Sequence, residues 1–362
     1  MPDSFSRNYA EARDRFVLAA RKAGATLHSY RREDIRGRDG EELAVDVAVL
    51  GDRDADSAAI VISGTHGSEA GCGSAIQHRW LCECASAEAI AGLRLVLVHA
   101  VNPWGFSHGT RATENNVDLN RNFNDFAPGF SRPNPAYDRL MPFLHGPADS
   151  AEAHLAAHRG YRAEIAAAGA SIESQAVEGQ SAWSDGIFFT GTAPEWSNLT
   201  FRRIVADHLS GSQRIGFIDW HTGMGEYGEI VPIVFSSRDS AEYARAARWW
   251  QLDRPDGTGL QSPVPARYAG LLWQAIGQEV PGARVAGAVF EFGTGDAYSV
   301  FRGDRLDRWL RHEGQDDPDR DSLRRDYVTL CCPTDIAWRR FVLAEGPVLI
   351  DRMVAGVADW RG

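Results

Sequence analysis

Residues 58–63 read Ala-Ala-Ile-Val-Ile-Ser, an apolar run of strand length. A run with no polar alternation fits a strand covered on both faces. Gly64-Thr-His-Gly-Ser-Glu69 follows as a loop, residues 70–82 read as a helix, and residues 93–98 form a second buried strand ending at Asn102-Pro103. Strand, loop, helix, strand is the building unit of an α/β sheet. This unit constrains the fold more than any other feature, because strands buried on both faces need helices above and below them.

The rest of the chain extends that sheet. Residues 7–24 have helical spacing, with Tyr9, Phe16, Val17 and Ala20 able to share a face. Strand-like segments at 27–31 and 43–50 flank the turn residues Arg38-Asp39-Gly40, which predicts a hairpin. Further strands are expected at 214–220, leading into His221, at 230–235, and at 284–292, which contains Glu291. Helices are expected at 149–168, 194–209, 240–251 and 336–358. The stretch at about 124–213 is irregular and rich in Pro, Gly and Ser, and reads as a long insertion. The acidic run 316–321 reads as a solvated loop. The expected architecture is α/β, three layers α/β/α around a mixed, mostly parallel sheet, in a single domain over residues 1–362.

Composition removes several function classes. With 362 residues, 44% of them hydrophobic and 24% charged, the chain can bury a large core. No apolar run approaches the about 20 residues of a membrane helix, so no membrane partner is expected. The first residues are charged and lack an apolar stretch, so no signal peptide is expected. The five Cys form no CxxC pair, which argues against a disulfide framework and for a reducing, cytoplasmic setting. A net charge of −11 without a basic block disfavours nucleic acid as a partner. Lys22 is the only lysine; every other basic residue of the 38 is arginine. It sits in Ala-Arg-Lys-Ala on an expected surface helix, which excludes a Walker A loop, a pyridoxal Schiff base and a catalytic lysine.

Four segments carry possible chemistry. His66-Gly-Ser-Glu69 lies at a strand end, where open α/β sheets place their ligands, and an imidazole and a carboxylate three residues apart can converge on one ion. The plain alternative is a surface histidine beside a helix-opening glutamate. Asp219-Trp-His221-Thr-Gly223 closes an apolar strand, so Asp219 and His221 share a face, and His221 could complete a His–Glu–His set. The plain alternative is a satisfied core histidine. The run 109–123 is dense in arginine and amide groups that can grip an anion, or can equally satisfy their own loop. Glu291 stands in an otherwise apolar strand, where a carboxylate is costly unless paired with an arginine or used for proton transfer. A fifth match, Gly223-Met-Gly225-Glu-Tyr-Gly228, fits GxGxxG but leads into a strand and not a helix, so it is not a dinucleotide fingerprint. There is no HExxH.

Taken together, HGSE (66–69), NPWG (102–105), GTR (109–111), VDLNRNF (117–123), DWHT (219–222) and FEFGTG (290–295) resemble the zinc carboxypeptidase superfamily, over residues 58 to about 300. The likeness is to an uncharacterised bacterial branch near the aspartoacylase-like deacylases, which the DWHTG segment resembles more than it does digestive enzymes. The resemblance implies one zinc per chain, held by His66, Glu69 and His221. It implies Glu291 as general base and then acid, and Arg111 polarising the scissile carbonyl. Asn120 and Arg121 would hold the substrate's free carboxylate, and Asp118 would buttress His66. The family's mobile tyrosine would be Tyr268, with Tyr298 as its rival. Three departures bear on the substrate: Trp104 in NPWG, Thr-Gly after His221, and the long 124–213 stretch, which could cover the cleft.

The implied activity is metal-dependent hydrolysis of an amide, peptide or N-acyl, beside a free carboxylate. The expected partner is a small molecule or short peptide bearing that carboxylate. The alternatives are an aspartoacylase-like N-acyl amino acid deacylase or esterase, and an inactive ligand-binding relative.

Overall fold

The computed structural model describes residues 4–85, 90–254, 259–263 and 267–360. The strands are β1 (Thr26–Arg36), β2 (Glu42–Gly51), β3 (Ser57–Ile62), β4 (Arg94–His99), β5 (Arg214–Thr222), β6 (Ile230–Ile233) and β7 (Arg284–Phe292). They form one sheet in the order β1-β2-β4-β3-β5-β7-β6. The central β4-β3-β5-β7 pairs are parallel, while β1-β2, β2-β4 and β6-β7 are antiparallel. The sheet is therefore mixed with a parallel centre, and the hairpin expected before residue 51 is β1-β2.

The helices are α1 (Tyr9–Lys22), α2 (Ala70–Glu83), α3 (Pro103–His108), α4 (Pro135–Leu144), α5 (Ala151–Ala168), α6 (Ser171–Ala176), α7 (Trp196–Leu209), α8 (Ala241–Trp250), α9 (Gln274–Glu279), α10 (Ala297–His312), α11 (Arg320–Cys331) and α12 (Ile336–Ala358). Alternate residues of β3 point to opposite faces, as a strand requires. Ala59 and Val61 pack in one core with α1, α2, α8 and α12; Ala58, Ile60 and Ile62 pack in the other with α7 and α9. All six residues of β3 are buried. Each fully buried Val or Ile contributes about 1.5–3 kcal/mol, so these two cores outweigh any surface feature.

Helices α4, α5 and α6 do not cover the sheet. They gather Tyr137, Leu140, Tyr161, Ile165 and Ile172 into a core of their own against Phe301 of α10. The last helix of the expected insertion, α7, does lie on the sheet. The acidic run ends sooner than expected: α11 begins at Arg320 and takes up Asp321. Among the described residues no helix is long and apolar enough to cross a membrane.

Candidate metal centre

Three neighbouring parallel strands end together, and each delivers part of one site. β3 ends at Ile62, and the loop after it carries His66 and Glu69. β5 holds His221 one residue before its end, and β7 holds Glu291 as the register partner of His221. This is the carboxyl edge of the sheet, where open α/β folds place their ligands.

Two close backbone contacts explain the motif glycines. A Cβ on Gly67 would stand 1.9 Å from the carbonyl carbon of Gly105, so the HGSE loop lies directly on the NPWG turn. That turn is fixed by Asn102, whose side chain accepts a hydrogen bond from Gly105 N at 2.9 Å. Likewise a Cβ on Gly293 would stand 2.0 Å from the carbonyl oxygen of Glu226, which seats the 223–228 loop on the end of β7. This loop leads into β6, as its sequence predicts.

The ligand atoms converge. His66 Nδ1 lies 3.0 Å from Glu69 Oε1 and 3.2 Å from His221 Nδ1. His221 Nδ1 lies 3.2 Å from Glu69 Oε2. One ligand atom from each of the three buried residues falls within 4.8 Å of the others. The outer ring nitrogens are held as well: His66 Nε2 is 3.1 Å from Asp118 Oδ1, and His221 Nε2 is 2.9 Å from Asp219 Oδ2. Thr65 Oγ1 in turn donates to Asp219 Oδ1 at 2.9 Å. A carboxylate that accepts a hydrogen bond from the outer N–H holds the proton on that nitrogen and leaves the inner lone pair facing the centre.

The charge balance points the same way. Glu69, Asp118, Asp219 and Glu291 are four carboxylates, yet Arg111 is the one guanidinium paired with any of them among the described residues. It reaches Glu69 Oε1 at 3.1 Å through Nη1 and Asp118 Oδ2 at 3.2 Å through Nε. Burial opposes charge on Glu69, but His66 and His221 outweigh it and hold this carboxyl well below its ordinary value. Burial also opposes charge on His221, yet Asp219 and Glu69 hold its imidazole well above its ordinary value. Both shifts have one cause, the carboxylates gathered round the two imidazoles, and that is where a positive charge would be favoured. Two inward imidazole nitrogens, a carboxylate oxygen and an excess of negative charge fit a divalent metal.

Glu291 differs from the other three carboxylates. It is half-buried, and its hydrogen bond among the described residues comes from Met224 N at 3.4 Å. No arginine pairs with it there, so the structural ion pair weighed from the sequence is not what holds it. Burial pushes its carboxyl up, helped by Glu69 and opposed by His221.

A cavity of about 710 Å³ opens from this edge, lined by His66, His221, Glu291, Arg111, Asn120 and Arg121 among others. Arg121 is 5% exposed. It donates from Nε to the Val177 carbonyl and from Nη1 to the Asn120 carbonyl, both at 2.9 Å. It has no carboxylate in ion-pair range among the described residues, and burial lowers its pKa. The Tyr268 ring lies 4.4 Å from the Arg121 guanidinium, and Asn120 Oδ1 accepts from Leu272 N at 2.9 Å. Tyr298 packs against His158 of α5 and does not line the cavity. His66, Arg111, Asn120, Arg121, His221, Tyr268 and Glu291 thus meet at one cavity, with Glu69 and Asp118 directly behind it.

Two residues were not singled out. Asp219 was noted only for sharing a face with His221, and that spacing was its signal. Asp304 on α10 lines the cavity and left no signal, because α10 itself was not expected.

The family described as "Protein of unknown function (DUF2817)" matches residues 5–345. Among curated proteins, none matches this chain. Among solved structures, bovine thrombin-activatable fibrinolysis inhibitor, in complex with tick carboxypeptidase inhibitor, is 12% identical with a TM-score of 0.50, covering 99% of each chain. Carboxypeptidase A from Helicoverpa armigera is 11% identical with a TM-score of 0.48, covering 90% of this chain and 74% of that one. A succinylglutamate desuccinylase/aspartoacylase from Rhodobacter sphaeroides is 13% identical with a TM-score of 0.39, covering 79% and 65%. Of these three, the fibrinolysis-inhibitor structure has the score that supports a common fold, and at its identity it speaks to the fold alone. The chain is a member of the DUF2817 family and shares the fold of bovine thrombin-activatable fibrinolysis inhibitor.

Proposed function

We propose that this protein is a zinc-dependent hydrolase that cleaves an amide bond beside a free carboxylate, in short peptides or N-acyl amino acids. The observation that carries this reading is the convergence of His66, Glu69 and His221 at one end of a cavity that also holds Glu291, Arg111 and Arg121. The first three residues would hold the metal. When bound, the metal supplies Lewis acidity, which acidifies water and polarises a carbonyl.

The chain's own groups do the rest. Glu291 opens into the cavity with its carboxyl raised by burial, a shift in the direction that suits a group that both takes and returns a proton. It accepts the proton of the attacking water and delivers it to the leaving nitrogen. Arg111 lies at the cavity beside Glu69, where its guanidinium offsets charge growing on the carbonyl oxygen. Arg121 is a buried cation without a counter-ion among the described residues, and takes the substrate carboxylate with Asn120 beside it. Asp118 and Asp219 keep the two imidazoles oriented.

Leu144, Tyr161 and Val177 of the 124–213 stretch form part of the cavity wall. This favours small substrates, and so keeps N-acyl amino acids beside peptides as candidates. The test is release of free amine from N-acyl amino acids and dipeptides by the zinc-supplied protein. Turnover abolished by chelation and restored by zinc supports the proposal. Zinc binding without turnover of either substrate class would replace it with an inactive ligand-binding relative.

A further inference from the structure

Among the described residues, none of α11 lines the cavity, yet one face of this helix touches every segment that carries the metal centre's His–Glu–His set. Arg324, Tyr327, Val328 and Cys331 share that face, since they are spaced as successive turns of a helix. The hydroxyls of Tyr327 and Ser68 lie 3.0 Å apart, and both residues are buried. Ser68 stands between His66 and Glu69. One turn on, the Cys331 carbonyl accepts from the Thr222 hydroxyl. Thr222 directly follows His221, and its N–H donates to Glu69 Oε2 at 3.0 Å. One turn back, Arg324 Nη1 donates at 3.2 Å to the carbonyl of Gly109, in the turn that leads to Arg111. A Cβ on Gly109 would stand 2.7 Å from Val328 Cγ2, so the helix lies close against that turn.

Each contact has a physical reason. The last carbonyls of a helix have no partner inside it, and Cys331 closes α11, so the Thr222 hydroxyl meets a group that needs a donor. A tyrosine hydroxyl buried in a core with Leu306, Trp309 and Leu310 also needs a partner, and the Ser68 hydroxyl supplies one. The sheet does not do this work. The β3–β5 ladder ends at Ile62 and Asp219, before His66, Glu69 and His221, so other contacts set how these three face one another. Two of those contacts come from α11, one turn apart on a single stiff element. Groups held in place before a ligand arrives bind it more tightly, because less order is lost on binding.

We infer that α11 is a strut for the metal centre: Tyr327, through its hydroxyl, and Cys331, through its carbonyl, are positioning residues that hold the His66–Glu69 loop against the His221 strand end. Neither touches the ion or the substrate. The inference rests on the proposed function for the presence of the metal, but not for the reaction.

The test is zinc affinity, read by competition with a chromogenic chelator, in wild type, Tyr327→Phe, Ser68→Ala and the double variant. Each single variant should bind zinc about two- to tenfold more weakly, and the double variant no more weakly than either, because all three lose the same hydrogen bond. Thr222→Val should weaken binding by a similar factor. Leu310→Ala is the control for packing, since it opens the core that holds Tyr327 and leaves every hydroxyl in place. It should lower the melting temperature and keep the wild-type affinity. The visible spectrum of the cobalt-loaded protein should shift in Tyr327→Phe and stay as it was in Leu310→Ala. Unchanged affinity in Tyr327→Phe and Ser68→Ala, or losses that add in the double variant, overturns the inference. So does an equal loss in Leu310→Ala, which would reduce α11 to general packing. If Tyr327→Phe does not fold, Ser68→Ala beside Leu310→Ala decides. Turnover measurements separate the two claims. The predicted losses of affinity without turnover in wild type sink the hydrolase and leave the strut standing. Zinc-dependent turnover with affinities unmoved by the variants does the reverse.

Discussion

The cavity has two walls, and they are made in different ways. The sheet-edge wall carries His66, Glu69, His221 and Glu291 on or just beyond the ends of β3, β5 and β7, where register sets each position. The opposite wall comes from α4–α6 and α10, which meet through side-chain packing around Phe301 and not through a ladder of hydrogen bonds. A ladder fixes positions closely and leaves few alternatives. Packed helices can slide and exchange side chains at modest cost. On the proposed function, the chemistry therefore sits on the rigid wall, and the selection of substrate falls to the adaptable one.

This division predicts a descending series of effects. Glu291→Gln should lower turnover by about 10²–10⁴ with metal content unchanged, measured by steady-state rates beside elemental analysis. Full activity would remove Glu291 from the mechanism. Asp118→Asn should weaken metal affinity by about 10- to 100-fold, because His66 loses the carboxylate on its outer nitrogen; competition with a chromogenic chelator reads this directly. On the other wall, Tyr161→Phe frees Glu173 and should change KM by about two- to tenfold while metal affinity stays as it was. A drop in metal affinity there would break the division.

The mildest effect concerns acid. Arg305 Nη1 donates to His154 Nδ1 at 3.0 Å, joining α10 to α5. Burial lowers the His154 pKa to about 4, helped by Arg305 itself. The unfolded histidine takes a proton at about 6.5. The contribution of this contact is therefore complete above about 6.5 and is lost progressively as pH falls toward about 4. Amide protection in α5, corrected for the intrinsic exchange rate at each pH, should fall over that range more than in β3, and His154→Gln should reduce the difference. An equal loss of protection in both elements would contradict separate stabilities for the two walls.

The same contrast explains what could be read in advance. β3, β4, β5 and β7 were legible because strands covered on both faces are continuous apolar runs, and the ligands follow from where those runs stop. The NPWG and HGSE motifs were legible through the resemblance alone; the reason for the HGSE glycine, a backbone contact between Gly67 and Gly105 that leaves no room for a Cβ on Gly67, shows only in the structure. Helices α10 and α11 were not. Their sequences are thick with Asp and Arg, and the buried members, such as Arg305, Asp307, Arg308 and Arg324, are satisfied by partners distant in sequence. Periodicity of apolar residues cannot find a helix whose buried face is ionic. Asp304 was hidden for the same reason, since its meaning depends on how α10 is turned toward the cavity. Spacing before Glu291 favoured Tyr268 over Tyr298; in the structure Tyr268 lines the cavity and Tyr298 packs against His158.

The central claim is that the His66–Glu69–His221 cluster binds a metal. Elemental analysis of the purified protein, wild type beside His221→Ala, tests it most directly. The account predicts about one zinc ion per wild-type chain, removed by chelator, regained on adding zinc, and absent from the variant. A wild-type protein that takes up no metal under zinc titration, or a variant that keeps the wild-type stoichiometry, would contradict it.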